Sequence, residues 1–398
     1  MAARPDYATM DKALRRNIVI SAVNVRKGGT LTILKGCLQY LSGREDLHVT
    51  AIVHKRSLCD YPGIDYIEIP WSIKGWLRRL WCEYVTLFGI SKRLVDTDLW
   101  FSLHDTTPRV KARRQAVYCH TSFPFMKASW RDVRMDYKIA LFSRFTKFAY
   151  KWNVKKNSYL VVQQTWMRDA MAGLLKFPKD RIIVAPPAIK GDSFATLGMT
   201  KEPSLEMTKE LSLEKTRERS KVFLFPGTPD CHKNFETLCE AARILENRVG
   251  KGCFKVLLTV RGEENRYARW LKVRWGEVSS IDFHGLMSRD ELEQAYGEAA
   301  CLVFPSRSET WGLPISEFKP TGKPMILADL PYAHETAAGA RQVAFFPVKD
   351  PEALAKAMEN VLTGNTIDFG TVPVRVIESP YAYGWEQLFH FLLDDNQD

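Results

Sequence analysis

Short apolar runs rich in β-branched residues recur along this chain, each bounded by polar or glycine-containing stretches and followed by residues at helical spacing. Asn17 to Ser21 reads as a strand. The loop after it carries Gly28-Gly29, and Leu31, Leu34, Leu38 and Leu41 then repeat at helical spacing. Further strands are predicted over 49–53, 66–69, 99–103, 116–119, 159–162 and 182–184. Periodicity lapses from Ile189 to Lys221, a stretch rich in Lys, Glu, Thr and Ser. It resumes with apolar runs at 222–225, 255–260, 281–284, 301–304, 325–328 and 343–346, separated by helical patterns such as 235–246 and 290–299. Strands alternating with helices predict parallel sheets with helices on their faces. Two Rossmann-like α/β domains follow, 1–188 and 221–379, with a boundary region at 189–220 and a last helix within 380–398. A length of 398 residues suits two cores, and in such sheets ligands collect outside the carboxyl ends of the strands.

Composition narrows the class without naming a chemistry. With 45% hydrophobic and 26% charged residues the chain is an ordinary globular protein. Its eight cysteines form no Cys-x-x-Cys pair and no zinc-finger spacing with histidine, so reduced, mostly buried thiols are expected. No apolar core of a leader precedes Arg16, and no run approaches the ~18 apolar residues that span a bilayer. The expectation is a cytoplasmic protein, with attachment to the inner face of the membrane left open.

The net charge of +11 is unevenly spread: residues 1–190 hold 33 Lys and Arg against 15 Asp and Glu, the remainder 24 against 31. A basic N-terminal half points to an anionic partner, whether lipid surface, nucleic acid or acidic glycan. No nucleic-acid-binding motif accompanies the charge, so nucleic acid is not an expected partner. Residues 127–156 contain nine basic side chains and two acidic ones, interleaved with Trp130, Tyr137, Phe142, Phe145, Phe148, Tyr150 and Trp152; Trp71, Trp76, Arg78, Arg79 and Trp81 form a second such cluster. Two readings stand side by side: an interfacial surface on anionic lipid, or amphipathic helices packing their aromatics into the core.

The chemistry concentrates at two strand-to-helix turns. In the first, Cys301 to Phe304 is a buried-strand run ended by Pro305, and Ser306-Arg307-Ser308-Glu309-Thr310-Trp311-Gly312-Leu313-Pro314-Ile315-Ser316-Glu317 follows. Pro314 suits a helix start, so Glu309 falls in the loop and Glu317 on the first turn. Unpaired amides at a helix start suit a diphosphate, and ionised carboxylates accept hydrogen bonds from sugar hydroxyls. The alternative is that Glu309 caps the helix and Glu317 complements its dipole. In the second turn, Phe225-Pro226-Gly227-Thr228-Pro229-Asp230-Cys231-His232-Lys233-Asn234-Phe235 sets a lysine just before a helix.

These residues resemble the Glu-x7-Glu motif and phosphate loop of retaining glycosyltransferases of family 4, group 1 type, which have the GT-B fold. The resemblance implies two Rossmann-like domains facing across a cleft, with Gly384 to Leu393 suited to a last helix that crosses back to the first domain. It implies a nucleotide-diphosphate sugar as donor, a hydroxyl of a glycan or lipid-linked acceptor in bacterial surface polysaccharide assembly, no cofactor, and no metal. By the same resemblance Lys233 neutralises the pyrophosphate, Glu309 contacts the transferred sugar and Glu317 accepts the ribose hydroxyls. Gly227, Thr228 and Asn234 belong to the phosphate loop, while Gly312, Leu313 and Pro314 lie against sugar and phosphates. Gly285-Leu286 falls where relatives read the base through backbone, and Gly28-Gly29 where amides approach donor phosphate and acceptor. His120, directly after a strand, faces the reacting centre, on either the donor sugar or the acceptor hydroxyl.

The chain departs from the family at Thr228, where an arginine is usual, and Arg261 or Arg307 could supply the charge. Front-face substitution is favoured over double displacement because no matching position announces a nucleophile. Another GT-B enzyme, an epimerase or phosphorylase, and a silent glycan-binding relative remain as alternatives. Asp96-Thr97-Asp98 mimics a metal-binding Asp-x-Asp motif but precedes its strand, at the end of a parallel sheet where ligands do not bind.

Overall fold

The computed structural model describes residues 15–94, 96–126, 129–187 and 221–394. The boundary region expected at 189–220 therefore lies outside the described residues. Contacts divide the chain into two compact units. The first comprises 1–125, 142–188 and 376–398; the second comprises 126–141 and 189–375.

The first unit is built on a seven-stranded parallel sheet: β1 (Arg16–Ala22), β2 (Leu47–Val53), β3 (Ile64–Glu68), β4 (Thr97–Ser102), β5 (Arg114–Tyr118), β6 (Tyr159–Val162) and β7 (Ile182–Val184). Its spatial order is β3-β2-β1-β4-β5-β6-β7. The central strands read as mostly apolar runs because helices cover both faces of such a sheet; β1 is buried from Ile18 through Ala22, whereas the edge strand β3 buries only Ile64. The last helix, Gly384–Leu393, completes this core with Leu388, Phe389, Leu392 and Leu393 against Ile18, Leu34 and Phe101. Phe389 meets Phe101 edge to face at 6.0 Å and stacks on Tyr40 at 5.7 Å. Arg16 and Arg114 donate to the carbonyls of Leu393 and Asp394, at 3.1 and 2.7 Å. Both thereby satisfy groups at the end of the helix that lack intrahelical partners.

The second unit holds a six-stranded parallel sheet: β8 (Lys221–Phe225), β9 (Phe254–Leu258), β10 (Ile281–Phe283), β11 (Cys301–Phe304), β12 (Met325–Ala328) and β13 (Val343–Phe346), in the order β10-β9-β8-β11-β12-β13. Both sheets thus repeat one doubly wound pattern. The strand order reverses between β1 and β4 in the first and between β8 and β11 in the second, and such a switch point opens a crevice at the carboxyl ends.

One boundary needs correcting. Residues 126–141, which the sequence assigns to the N-terminal domain, belong to the second unit. Two ion pairs from the short helix Trp130–Met135 hold them there: Arg131 to Glu236 at 2.6 Å, and Asp132 to the guanidinium fork of Arg307 at 2.5 and 3.0 Å. Hydrophobic periodicity carries no trace of such pairs. The return to the first unit also begins at Val376, ahead of the expected 380.

Candidate functional site

In the second unit, the turns after β8 and β11 come together at the switch point. Lys233 Nζ lies 2.6 Å from Glu309 Oε1, and the two side chains are 16% and 13% exposed. The supporting loops are tied down by backbone-directed bonds. Asn234, in left-handed conformation at φ +60°, donates to the carbonyls of Pro305 and Val348 at 3.0 and 2.8 Å and accepts from Thr237. Its side chain is therefore spent as a clamp between β8, β11 and β13. The expected contact of Asn234 with a ligand is replaced by this role, because its amide is buried and engaged. Tyr332 donates to the Ser306 carbonyl at 2.7 Å and Trp311 to Ser316 Oγ at 2.7 Å, fixing the loop that carries Glu309.

Gly312 sits at φ +89°, and a Cβ there would approach Ile315 to 3.2 Å, so glycine is needed on both counts. Leu313 then opens a helix of only six residues, Leu313–Phe318, with Pro314 in its first turn. The macrodipole of so short a helix is small, and in its first turn Pro314 has no N–H while the Ile315 amide is spent on the Gly312 carbonyl at 2.9 Å. Glu317 is held by Arg289 at 2.5 Å and by the Tyr296 hydroxyl at 2.8 Å, one partner per oxygen. Burial, with the adjacent Glu317 charge, raises the Tyr296 phenol well above its ordinary pKa.

Two arginines were left open as the extra positive charge, and the structure separates them. Arg307 is a correction: its guanidinium is committed to Asp132 and to the Cys231 carbonyl at 2.6 Å. Burial raises the Asp132 carboxyl, but the Arg307 and Ser129 bonds outweigh it and hold the group below the usual range. Arg261, at the carboxyl end of β9, is exposed and makes no side-chain ion pair among the described residues; its side chain lies against Gly285. Gly285 adopts φ +103°, and a Cβ there would come within 3.1 Å of Arg261 Nε. Leu286 beside it is 84% exposed. Gly227 donates to Thr259 Oγ1 at 2.7 Å, and Thr228 bonds Asp230, an acid in the very loop where a second cation is usual.

In the first unit the carboxyl ends of β1, β4 and β5 carry a different arrangement. Gly28, at φ +69°, begins the helix Gly28–Ser42, which has no side-chain cap and no acid in its first turn. Gly29 follows inside that turn. His120, just past β5, packs edge-on against Tyr118 at 4.4 Å, and its backbone amide donates to Asp105 at 2.5 Å. Both His120 ring nitrogens are shielded from water without a hydrogen-bond partner. Burial, with His104 nearby, depresses its pKa to about 3, so the ring is neutral and offers one donor and one acceptor.

Sequence reasoning missed the network beneath. His104 Nε2 lies 3.0 Å from Ser21 Oγ and Nδ1 3.2 Å from Thr106 Oγ1; Thr106 donates to Glu83 at 2.6 Å, and Glu83 pairs with Arg79 at 2.8 Å. The position of His104-Asp105 directly after β4 was the available signal, the same one that marks His120 after β5. Burial raises the pKa of Asp105 to about 6 and lowers that of His104 to about 4. Asp96-Thr97-Asp98 lies at the opposite, amino edge, where Asp98 accepts the Asn17 amide at 2.8 Å beside Lys111 and Arg113. Among the described residues no three His, Cys, Asp or Glu side chains gather as a metal site.

Comparison with known proteins follows this geometry. Residues 220–364 match the family described as glycosyl transferases group 1. O-antigen chain mannosyltransferase B of Escherichia coli is 25% identical over 177 residues, 44% of this chain and 45% of that protein, so the chain spans less than half of this curated relative. Among solved structures, a sucrose-phosphate synthase from Thermosynechococcus elongatus superposes with a TM-score of 0.58 at 16% identity, over 88% of this chain and 92% of the other. HepE of Anabaena, solved in complex with UDP and glucose, gives 0.58 at 13% identity over 89% and 92%. The chain thus has the GT-B fold of two parallel-sheet α/β domains, and its second domain matches the group 1 glycosyltransferases.

Proposed function

We propose that this protein is a glycosyltransferase that moves a sugar from a nucleotide-diphosphate donor to a hydroxyl of a glycan or lipid-linked acceptor, in assembly of a bacterial surface polysaccharide. The observation that carries the reading is the Lys233–Glu309 pair at the switch point of the second unit, with Arg261, which makes no side-chain ion pair among the described residues, at the carboxyl end of the adjacent β9. The family match over 220–364 supports it, as do the likeness to an O-antigen mannosyltransferase and to a structure holding UDP and glucose.

In this reading Lys233 is the cation of the leaving diphosphate, a charge that a bound metal supplies in other transferases. Without donor, Glu309 keeps the ammonium in place. When the diphosphate arrives, Lys233 turns to it and Glu309 is released toward the transferred sugar. Glu317 accepts the ribose hydroxyls with the lone pairs that Arg289 and Tyr296 leave free, and Arg261 takes the place of the arginine missing at Thr228. Gly312 to Pro314 lie along the sugar and phosphates, and Gly285-Leu286 along the base. On the first unit, His120 and the amides of Gly28 and Gly29 face the acceptor. The transfer retains configuration by front-face substitution, the departing phosphate taking the proton of the acceptor hydroxyl, and needs no metal.

A nucleotide-sugar panel screened by ligand-induced thermal shift identifies the donor, since a ligand that binds only the folded state raises the midpoint. Nucleoside diphosphate should then be released only with acceptor present, and chelator should not slow it. Lys233→Ala and Glu309→Ala should each abolish transfer in a folded protein. Parent-level transfer by either variant rejects the site, and release or isomerisation without acceptor points to another GT-B chemistry.

A further inference from the structure

Two helical segments of the first unit turn large apolar side chains outward, while Cys82, Leu87 and Tyr150 on the same segments pack into the core. In the part of the Tyr137–Lys151 helix that belongs to this unit, the buried positions are Ser143, Thr146 and Tyr150, whereas Phe145 and Phe148 are 55% and 67% exposed and Trp152 just beyond is 65% exposed. In the helical run from Trp76 the side chain of Glu83 is fully buried, while Leu77, Trp81 and Val85, each four residues apart, are 81%, 62% and 46% exposed. A helix serving only its own core shows the reverse, polar outward and apolar inward. The two readings the sequence set side by side divide by residue: Tyr150 and Trp71 pack into the core, whereas Trp76, Trp81, Phe145, Phe148 and Trp152 are exposed. The segments adjoin, since Tyr84 meets Trp152 edge to face at 6.1 Å.

The cations around these side chains say what covers them. Lys74, Arg78, Arg144, Lys151, Lys155 and Lys156 are all exposed on the same two segments. Between 70 and 95 the one acid is Glu83, which is buried and paired with Arg79; between 142 and 168 there is none. A second copy of this face would bring like charges together, whereas an anionic lipid surface satisfies both components. Aromatic and leucine side chains enter the headgroup boundary while lysine and arginine meet the phosphates.

We propose that this face, with Leu77, Trp81, Phe145, Phe148 and Trp152 at its centre, docks the protein peripherally on anionic membrane. Lys147, which is half-buried, extends its charged rim. The proposal does not depend on the sugar-transfer reading, and its test reads binding alone.

The experiment is co-sedimentation of the full chain with vesicles of phosphatidylcholine alone and of phosphatidylcholine with about one third phosphatidylglycerol, at low and at roughly 0.5 M salt, which screens surface charge. Binding is expected to the anionic vesicles and to weaken with salt. The variant Trp81→Ser/Phe148→Ser, altered only at exposed side chains, should lose about tenfold in partitioning while its denaturation midpoint stays at the parent's. Arg78→Glu/Arg144→Glu/Lys151→Glu should lose a similar amount and abolish the preference for phosphatidylglycerol. No sedimentation of the parent with anionic vesicles overturns the proposal. So does unchanged binding by both variants, or a dimer of the parent that the Ser variant dissolves.

Discussion

The two switch points share one strand order and hold opposite kinds of chemistry. Between β1 and β4 the polar groups form an internal chain, Ser21 to His104 to Thr106 to Glu83, that is buried throughout and reaches solvent only at its last member, Arg79. Between β8 and β11 the polar groups are a partly exposed ion pair, Lys233 to Glu309, and the adjacent β9 ends in Arg261, which has no ion-pair partner among the described residues. A scaffold that creates a crevice does not dictate what fills it. Burial decides: an internal network fixes a surface for a neutral ligand, and a half-open ion pair can exchange partners with an incoming anion. The charge of the two halves runs against this division, since the basic half carries the sealed network. Exposed cations of that half, Lys74, Arg78, Arg144, Lys151, Lys155 and Lys156 among them, lie outside on the two segments with outward aromatics.

The sharpest way to break the comparison is at Lys233. If the open ion pair is the diphosphate site, Lys233→Met should lower the transfer rate by about a thousandfold, on the order of 4 kcal/mol of transition-state stabilisation. Single-turnover measurement at saturating donor separates this from weakened binding. A variant whose loss appears only in KM would make Lys233 a binding residue without a share in leaving-group stabilisation. The sealed network should behave otherwise. His104→Gln should alter stability far more than rate, and equal rate losses at the two sites would erase the distinction.

Asp132 tests why residues 126–141 belong to the second unit. Its carboxylate is 1% exposed, carries the fork of Arg307 and also caps its own helix through Ser129. Removing one partner of such a pair strands the other charge, so Asp132→Ala should destabilise by about 3–4 kcal/mol in denaturant unfolding. The released Arg307 would then be a second cation in the loop beside Glu309. Improved donor affinity in this variant would show that the family's missing charge can be restored from the position that the fold has withdrawn from service.

How much of this was legible follows from what each feature depends on. Every described strand was readable because a parallel sheet buried on both faces demands continuous apolar runs, and Cys301 to Phe304 is buried at all four positions. Lys233 and Glu309 stand 76 residues apart in sequence, yet their meeting at 2.6 Å was inferable from resemblance and from the rule that sites collect at carboxyl ends. Sequence could not choose between Arg261 and Arg307, because Asp132, which engages Arg307, lies 175 residues away on a segment that carries no periodic signal. Asn234 was misjudged for a related reason, since nothing local tells a ligand amide from a loop clamp. The segments with outward aromatics show the limit of amphipathic patterns, which locate apolar positions without saying which of them the core receives.

Acid sensitivity separates the two crevices further. His104 has a folded-state pKa of about 4 against an ordinary 6.5, so between these values the unfolded chain binds a proton that the folded one refuses. Stability contributed by the neutral ring is complete above pH ~6.5 and is lost as pH falls toward ~4, by about 3 kcal/mol for this group. Asp105, raised to about 6, opposes the trend, because its protonated form is favoured by folding in much of the same window. His120, depressed to about 3, adds to it. The net expectation is a fall in denaturant midpoint on acidification that His104→Gln flattens and Asp105→Asn steepens. A His104→Gln variant with the parent's pH profile would mean that the ring is already accommodated as a cation.

The smallest effect is expected at Glu317, where the two crevices are most alike in having a carboxylate held by a phenol or hydroxyl and an arginine. Tyr296→Phe removes one hydrogen bond of 2.8 Å and leaves Arg289 in place, so about 1 kcal/mol is at stake. If Glu317 grips the ribose, the cost should fall on donor affinity as a roughly fivefold rise in donor KM, with kcat nearly unchanged, because ribose contacts are the same before and during transfer. Glu317 falls beyond the first turn expected for it, so its alternative role is to anchor the helix to Arg289 and Tyr296; in that case Tyr296→Phe should leave KM alone and lower the unfolding midpoint. Glu317→Gln makes the comparison stricter, since it keeps shape and one acceptor while removing the charge that Arg289 answers. A KM effect larger in Glu317→Gln than in Tyr296→Phe, with stability nearly the same in both, is the pattern that a ligand-facing carboxylate requires.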